Sequence, residues 1–203
     1  MSAKYIIKLL TLGDTTVGKS SIVLRFSDDQ FDDTIFSTIG IDFKTKFMKV
    51  KDSTVKVLIW DTAGQEKFQN VAKSYYKGAN GVLLVYDISN RKSFERVEFW
   101  LKELKENNKI DDLYLYLVGN KKDLEGKRMI STDEGKKYAE DNNINFTEVS
   151  AKTGEGVREV FDNVLNGALD KIKKDIEKDD GEEKVRLSSF RKIETKERHN
   201  MCC

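Results

Sequence analysis

The segment Gly13-Asp14-Thr15-Thr16-Val17-Gly18-Lys19-Ser20 has the spacing G-x-x-x-x-G-K-S, and it lies between an apolar run, Tyr5 to Leu12, and a stretch of helical period. That order constrains the fold strongly, because such a loop works where a strand delivers it to the amino end of a helix. There its backbone N–H groups and the helix terminus can wrap phosphates. Lys19 supplies a point charge to the outer phosphates, and the Ser20 hydroxyl can bind Mg²⁺. Ser21, in the first helical turn, is counted with this phosphate-binding set. The bland reading is a glycine-rich turn, and the flanking strand and helix count against it.

Along the rest of the chain, β-branched apolar runs alternate with helical stretches, the pattern of a mainly parallel sheet with helices on both faces. Six strands are predicted, near Tyr5 to Leu12, Asp42 to Val50, Val55 to Asp61, Gly81 to Asp87, Leu113 to Asn120 and Asn145 to Val149. The second alternates apolar and polar residues, and a short link through Asp52-Ser53 joins it to the third, so it reads as an antiparallel edge hairpin. Helices should follow Lys19, Ser93, Thr132 and Gly156, with Phe94, Val97, Trp100, Leu101 and Leu104 as one buried stripe. Proline is absent, so glycines punctuate the chain at Gly13, Gly40, Gly64, Gly119 and Gly154. One domain over residues 1–174 and a flexible tail over 175–203 are expected, because from about Asp175 the apolar periodicity fades into charge-rich sequence that cannot offset its ordering entropy.

The 36 basic and 35 acidic residues leave a formal charge of +1, so no global field points to nucleic acid. Without a signal-like amino terminus or a membrane-length apolar run, the chain is expected to be made and folded in the cytosol. Its two cysteines, Cys202 and Cys203, are adjacent at the end, where they can neither staple a core nor complete a four-ligand metal site.

Three further segments carry chemistry. Asp61-Thr62-Ala63-Gly64-Gln65-Glu66 follows an apolar strand, so Asp61 points toward the phosphate-binding edge, where it could order a Mg²⁺-bound water. The Gly64 N–H could meet a terminal phosphate, and Gln65 has the length to orient an attacking water. Thr38, in the polar connection before the edge strand, could reach Mg²⁺ when a third phosphate is present, which would make that loop a switch between order and disorder. Asn120-Lys121-Lys122-Asp123 offers a carboxylate, Asp123, that accepts two N–H bonds from guanine but faces an acceptor and a donor on adenine. Lys121 would lay its stem across the base and Asn120 would brace the loop. In Ser150-Ala151-Lys152, the Ala151 N–H could meet the guanine carbonyl oxygen. Each segment alone could be a solvated loop; in this order, after successive strands, they predict a guanine nucleotide site.

These residues closely resemble the small GTPase family, whose five nucleotide motifs they match in order across roughly Lys4 to Lys173. The resemblance implies the three-layer small GTPase fold. Ile39-Gly40-Ile41-Asp42-Phe43, Lys67-Phe68, Tyr75-Tyr76-Lys77-Gly78-Ala79 and Leu84-Val85-Tyr86-Asp87-Ile88-Ser89 look like the Rab branch, as do the twin cysteines. By that resemblance Phe31 would pack against guanine and ribose, Ser20 and Thr38 would ligate Mg²⁺ beside Asp61, and Gln65, Lys19 and Thr38 would serve hydrolysis of GTP to GDP. Phe43, Trp60 and Tyr75, with Ile41 beside them, would face effectors, although core burial is equally open for each aromatic. The resemblance also implies an exchange factor, a GTPase-activating protein, a GDP-dissociation inhibitor, an escort protein and a geranylgeranyl transferase acting on Cys202 and Cys203. Two prenyl chains would hold the chain on the cytosolic face of an intracellular or plasma membrane. The tail agrees: Lys184 to Cys203 carries six basic and two acidic residues beside the anchor. The fold needs no partner to close its core, so a monomer is expected. Thr15 and Thr16 depart from the glycines of many Ras-type relatives, which leaves the intrinsic hydrolysis rate open.

The phosphate loop alone also suits a small-molecule kinase, but a kinase has no use for Asp123 or the cysteines. A non-catalytic guanine-nucleotide scaffold has no use for Gln65.

Overall fold

The computed structural model describes residues 3–33, 41–62, 76–108 and 110–200, the side chains of Ile41 and of 179–200 excepted. By its contacts the chain divides into Met1–Leu169 and Asp170–Cys203.

The first unit is built on strands β1 (Tyr5–Leu12), β2 (Ile41–Val50), β3 (Ser53–Thr62), β4 (Gly81–Asp87), β5 (Tyr114–Asn120) and β6 (Asn145–Glu148). They form one sheet in the order β2-β3-β1-β4-β5-β6, in which only β2 runs antiparallel to its neighbour. Burial follows from that order. Every residue of central β4 is buried, whereas β3, nearer the edge, alternates between buried and half-buried positions. The helices are α1 (Lys19–Asp28), α2 (Arg91–Glu95), α3 (Val97–Asn107), α4 (Thr132–Asp141) and α5 (Val157–Asn200).

Three expectations shift locally. Ser53 already pairs with Val50, so the hairpin turn is Lys51-Asp52, with Lys51 at φ 51°. The stretch around Ser93 is two helices rather than one. Asn90 caps α2 by accepting from the Ser93 N–H at 3.4 Å, and Ser93 Oγ accepts from the Asp87 N–H at 3.0 Å, which draws this turn back onto the end of β4. A single turn residue, Arg96, separates α2 from α3. The predicted stripe is nevertheless buried throughout: Phe94, Val97, Trp100, Leu101 and Leu104 pack in the core with Leu84 and Leu117. Gly119 does not punctuate a boundary but lies inside β5, where an added Cβ would come 2.8 Å from the Tyr86 hydroxyl oxygen.

On α5, Val157, Val160, Phe161, Val164, Leu165, Ala168 and Leu169 are buried, whereas Lys174 to Lys178 are exposed. In the second unit the helical backbone continues to Asn200, through sequence with no proline to break it. Among the described residues no helix is long and apolar enough to cross a membrane.

The order of the sheet fixes where a ligand can sit. The chain goes from β1 by way of β2 to β3 on one side of β1 and then crosses to β4 on the other, so the turn after β1 opens at the topological switch point, at the carboxyl ends of the parallel strands. That turn leads into α1, which is held by Phe26 stacked on Phe161 of α5, with ring centroids 3.8 Å apart and planes within 10°. Phe161→Ala is expected to lower stability by about 3–5 kcal/mol, read as a fall in the urea midpoint at unchanged slope. A loss below about 1 kcal/mol would mean that the stack does not anchor α1.

Candidate functional site

Glycine is required at both ends of the turn after β1. Gly13 has φ 143°, and a Cβ there would lie 2.1 Å from the Val85 carbonyl oxygen of β4; Gly18 has φ 92°, and a Cβ there would lie 2.3 Å from Asn120 Nδ2. The loop is therefore pressed against β4 on one side and the end of β5 on the other. Val17 is buried beneath it, while Thr15 and Thr16 are exposed above. Thr16 sits at φ 62°, a conformation costing a side-chain-bearing residue about 1–2 kcal/mol, so the departure from glycine leaves strain in the loop.

Lys19, the first residue of α1, folds back across this loop: its Nζ donates to the carbonyl oxygens of Gly13 at 2.9 Å and Asp14 at 2.8 Å. Burial pushes its ammonium down to about 8, against the opposing charges of Asp61 and Asp14. Asp61, at the carboxyl end of β3, is only 3% exposed. Burial raises its carboxyl above the ordinary value, while a hydrogen bond from the Ser20 hydroxyl, the charge of Lys19 and a bond from Thr11 work the other way. Thr11 Oγ1 donates to Asp61 Oδ1 at 3.0 Å, and Thr62 Oγ1 donates to the Thr11 carbonyl oxygen at 2.7 Å, so β1 and β3 jointly fix the carboxylate. Lys19, Ser20 and Asp61 thus meet in one buried polar cluster whose cation and anion restrain each other.

The other half of the site is built on β5 and β6. Asn120, 1% exposed, donates from Nδ2 to the Val17 carbonyl oxygen at 2.8 Å and accepts at Oδ1 from the Ala151 N–H at 3.1 Å. One side chain thereby ties the loop after β1 to the Ser150-Ala151-Lys152 loop. Lys121 adopts φ 66°, which turns the chain sharply, and its Nζ pairs with Asp87 Oδ2 at 2.7 Å. Asp123 is exposed, and its Oδ1 accepts from Ser150 Oγ at 2.6 Å; Ser150 Oγ in turn accepts from the Thr153 N–H at 3.1 Å. The two loops after β5 and β6 are therefore cross-braced, with the Asp123 carboxylate at their surface.

Of the residues picked out in the sequence, Gly13 to Ser21, Asp61, Asn120, Lys121, Asp123 and Ser150 to Lys152 fall at the carboxyl ends of β1, β3, β5 and β6. Phe31 lies half-buried beyond α1. Phe43 and Trp60 pair across β2 and β3, with ring centroids 4.9 Å apart, and Phe43 is 45% exposed. Thr38, Gly64, Gln65, Tyr75, Cys202 and Cys203 lie outside the described residues, and of Ile41 only the backbone in β2 is described.

Four supports escaped the sequence reading. Thr11 holds Asp61. Asp87 holds Lys121, and its Oδ1 accepts from the Ser89 N–H and hydroxyl at 2.8 and 2.7 Å. Arg25 donates to the carbonyl oxygens of Ala151 at 3.0 Å and Lys152 at 2.9 Å, and also to Asp29. Arg96 reaches Asp14. The quoted run Leu84 to Ser89 contained Asp87 but gave it no task; the other three carried no local signal.

The Ras family model matches residues 8–170, which covers all of these described positions. The chain belongs to the Rab branch of the Ras family. It is 42% identical over 169 residues to the Ras-related protein Rab-1 of Theileria parva, covering 83% of this chain and 76% of the relative. Against Rab-10 of Caenorhabditis elegans the identity is 46% over 165 residues, with 81% and 82% covered, and against human Rab-8B it is 42% over 168 residues, with 83% and 81% covered. As a Rab small GTPase of vesicle trafficking, the protein binds guanine nucleotide and hydrolyses GTP.

Lys19 is expected from the sequence to meet the outer phosphates, and on that expectation its depressed pKa would make nucleotide binding by this Rab proton-linked. Bound phosphates favour the ammonium, so the complex holds more protons than the free site once the pH exceeds about 8. Affinity for GDP should accordingly fall as pH rises through 8 and above, with a slope of up to about one decade per pH unit. Calorimetry at pH 8.5 in buffers of different ionisation enthalpy should register proton uptake; none, or a release, would contradict this assignment.

Proposed function

We propose that the cradle formed by the end of β3 and the loops after β1, β5 and β6 holds GDP or GTP with Mg²⁺, and that the Rab acts as a timed switch recruiting effectors to a membrane. The observation that carries this reading is the Asn120 side chain, bonded at once to the phosphate loop and to the loop flanking Asp123. Backbone N–H groups from Gly13 to Ser20, the Lys19 ammonium and Ser21 are assigned to the phosphates. Asp123, the Lys121 stem, Ser150, Ala151 and Lys152 are assigned to the base, with Phe31 beside it. A guanine carbonyl oxygen would share the Ala151 proton with Asn120.

The Ser20 hydroxyl and the Asp61 carboxylate, in contact and next to Lys19, fit a hard divalent ion that completes its shell with water and phosphate oxygens. No group of three His, Cys, Asp or Glu able to hold a metal occurs among the described residues, in keeping with an ion that relies on the nucleotide for ligands. When bound, Mg²⁺ would neutralise charge developing on the phosphoryl oxygens. Thr38 is assigned as a further ligand and Gln65 as the residue that positions the hydrolytic water.

Beyond the nucleotide, residues 1–174 are assigned as the GTPase domain and 175–203 as a tail whose Cys202 and Cys203 receive geranylgeranyl groups from a transferase working with an escort protein. Two such chains favour stable anchoring on a cytosolic membrane face, and the basic residues from Lys184 onward add attraction to anionic lipid. A GDP-dissociation inhibitor would retrieve the chain, an exchange factor reload it and an activating protein reset it. Phe43 packed against Trp60, with Ile41 and Tyr75, is assigned to the effector surface in the GTP form.

Base recognition is tested by Asp123→Asn. An amide in place of the carboxylate presents an N–H to position 2 of the base, so preference should move from guanine, which carries an amino group there, to xanthine, which carries a carbonyl. GDP affinity is expected to fall by at least about 100-fold while xanthosine diphosphate gains. Unchanged GDP affinity would sink the assignment of Asp123 to the base.

A further inference from the structure

Asp14 is pulled in two directions by opposite ends of its own residue. Its carbonyl oxygen accepts from the buried Lys19 ammonium at 2.8 Å, inside the loop, while its carboxylate faces outward and accepts from Arg96 Nε at 2.8 Å. The two partners are 82 positions apart, and their side chains are 38% (Arg96) and 22% (Asp14) exposed, so the pair sits partly shielded at the edge of the phosphate loop.

Arg96 is the single residue between α2 and α3, and its guanidinium also lies 4.9 Å from the centroid of the Phe99 ring. Its base is firm, because the next turn of α3 buries Val97, Trp100 and Leu101 in the core. A cation at the amino end of α3 opposes that helix's dipole, so helix stability does not account for it, whereas the Asp14 carboxylate does. That carboxylate needs an account of its own: a negative charge on a loop that must admit three phosphates repels them unless a cation offsets it.

We propose that Arg96 is a positioning residue of the phosphate site, clamping the outer side of the loop and offsetting the Asp14 charge so that the loop favours the triphosphate over the diphosphate. The proposal rests on the guanine-nucleotide reading and deepens it, since it gives α3 a direct hold on the loop that must distinguish the two nucleotides.

The test uses the full chain, freed of nucleotide, titrated with GDP and with a non-hydrolysable GTP analogue at low and high salt. Arg96→Gln should weaken the GTP analogue by about tenfold and GDP by less, with the difference shrinking in high salt, because an unpaired carboxylate repels the added phosphate charge. Arg96→Lys, which keeps the charge, should recover most of the preference. Adding Asp14→Asn to Arg96→Gln should restore triphosphate binding relative to Arg96→Gln alone, a rescue that a packing role would not give. Equal weakening of both nucleotides, or a preference within about twofold of the unsubstituted chain, would overturn the proposal. Failure of the unsubstituted chain to bind GDP at all would overturn the nucleotide reading and the proposal together.

Discussion

The Asn120 amide is the bond on which the site's geometry depends. Buried at the end of β5, it donates to the Val17 carbonyl oxygen and accepts from the Ala151 N–H, so its two polar ends are satisfied by two loops 134 residues apart. A shorter or differently branched side chain could not span both, and a buried group left without its partner would cost about 1–3 kcal/mol. Gly18 belongs to the same arrangement, since any side chain there would collide with Asn120 Nδ2. Gly18 and Asn120, which stand in two separate segments of the sequence, are therefore halves of one contact.

Around that contact the sheet sets the distances. Placing β1 between β3 and β4 puts the phosphate loop at the switch point, and the parallel run of β4, β5 and β6 carries Asp87, Asn120 and the Ser150 loop to the same edge. The electrostatics are arranged in opposed pairs. Lys19 is depressed by burial and held up by Asp61 and Asp14; Asp61 is raised by burial and held down by Ser20, Lys19 and Thr11. On the proposed reading, phosphates would add to the counter-charge that Asp61 and Asp14 give the buried lysine.

Local chemistry was legible in the sequence. The glycine-bounded loop after β1, the hairpin edge strand, the stripe across α2 and α3 and the strand ends bearing Asp61, Asn120 and Ser150 all announce themselves within windows of a few residues, where period and turn chemistry act directly. What escaped is what depends on distant partners. Nothing beside Arg96 indicates Asp14, and nothing beside Arg25 indicates Ala151, 126 positions away. The bonds that draw the start of α2 onto β4, from Asn90 and Asp87 to Ser93, were hidden because they are made by residues before the predicted helix.

The most direct test of this account is the dissociation rate of a fluorescent GDP from the Asn120→Ala chain. If one amide couples the phosphate loop to the base loop, its removal leaves both slack, and GDP should leave about ten- to a hundredfold faster, with inorganic triphosphate also bound more weakly although it carries no base. Dissociation within about threefold of the unsubstituted chain, or weakening confined to ligands that carry the base, would contradict the claim that Asn120 joins the two halves of the site.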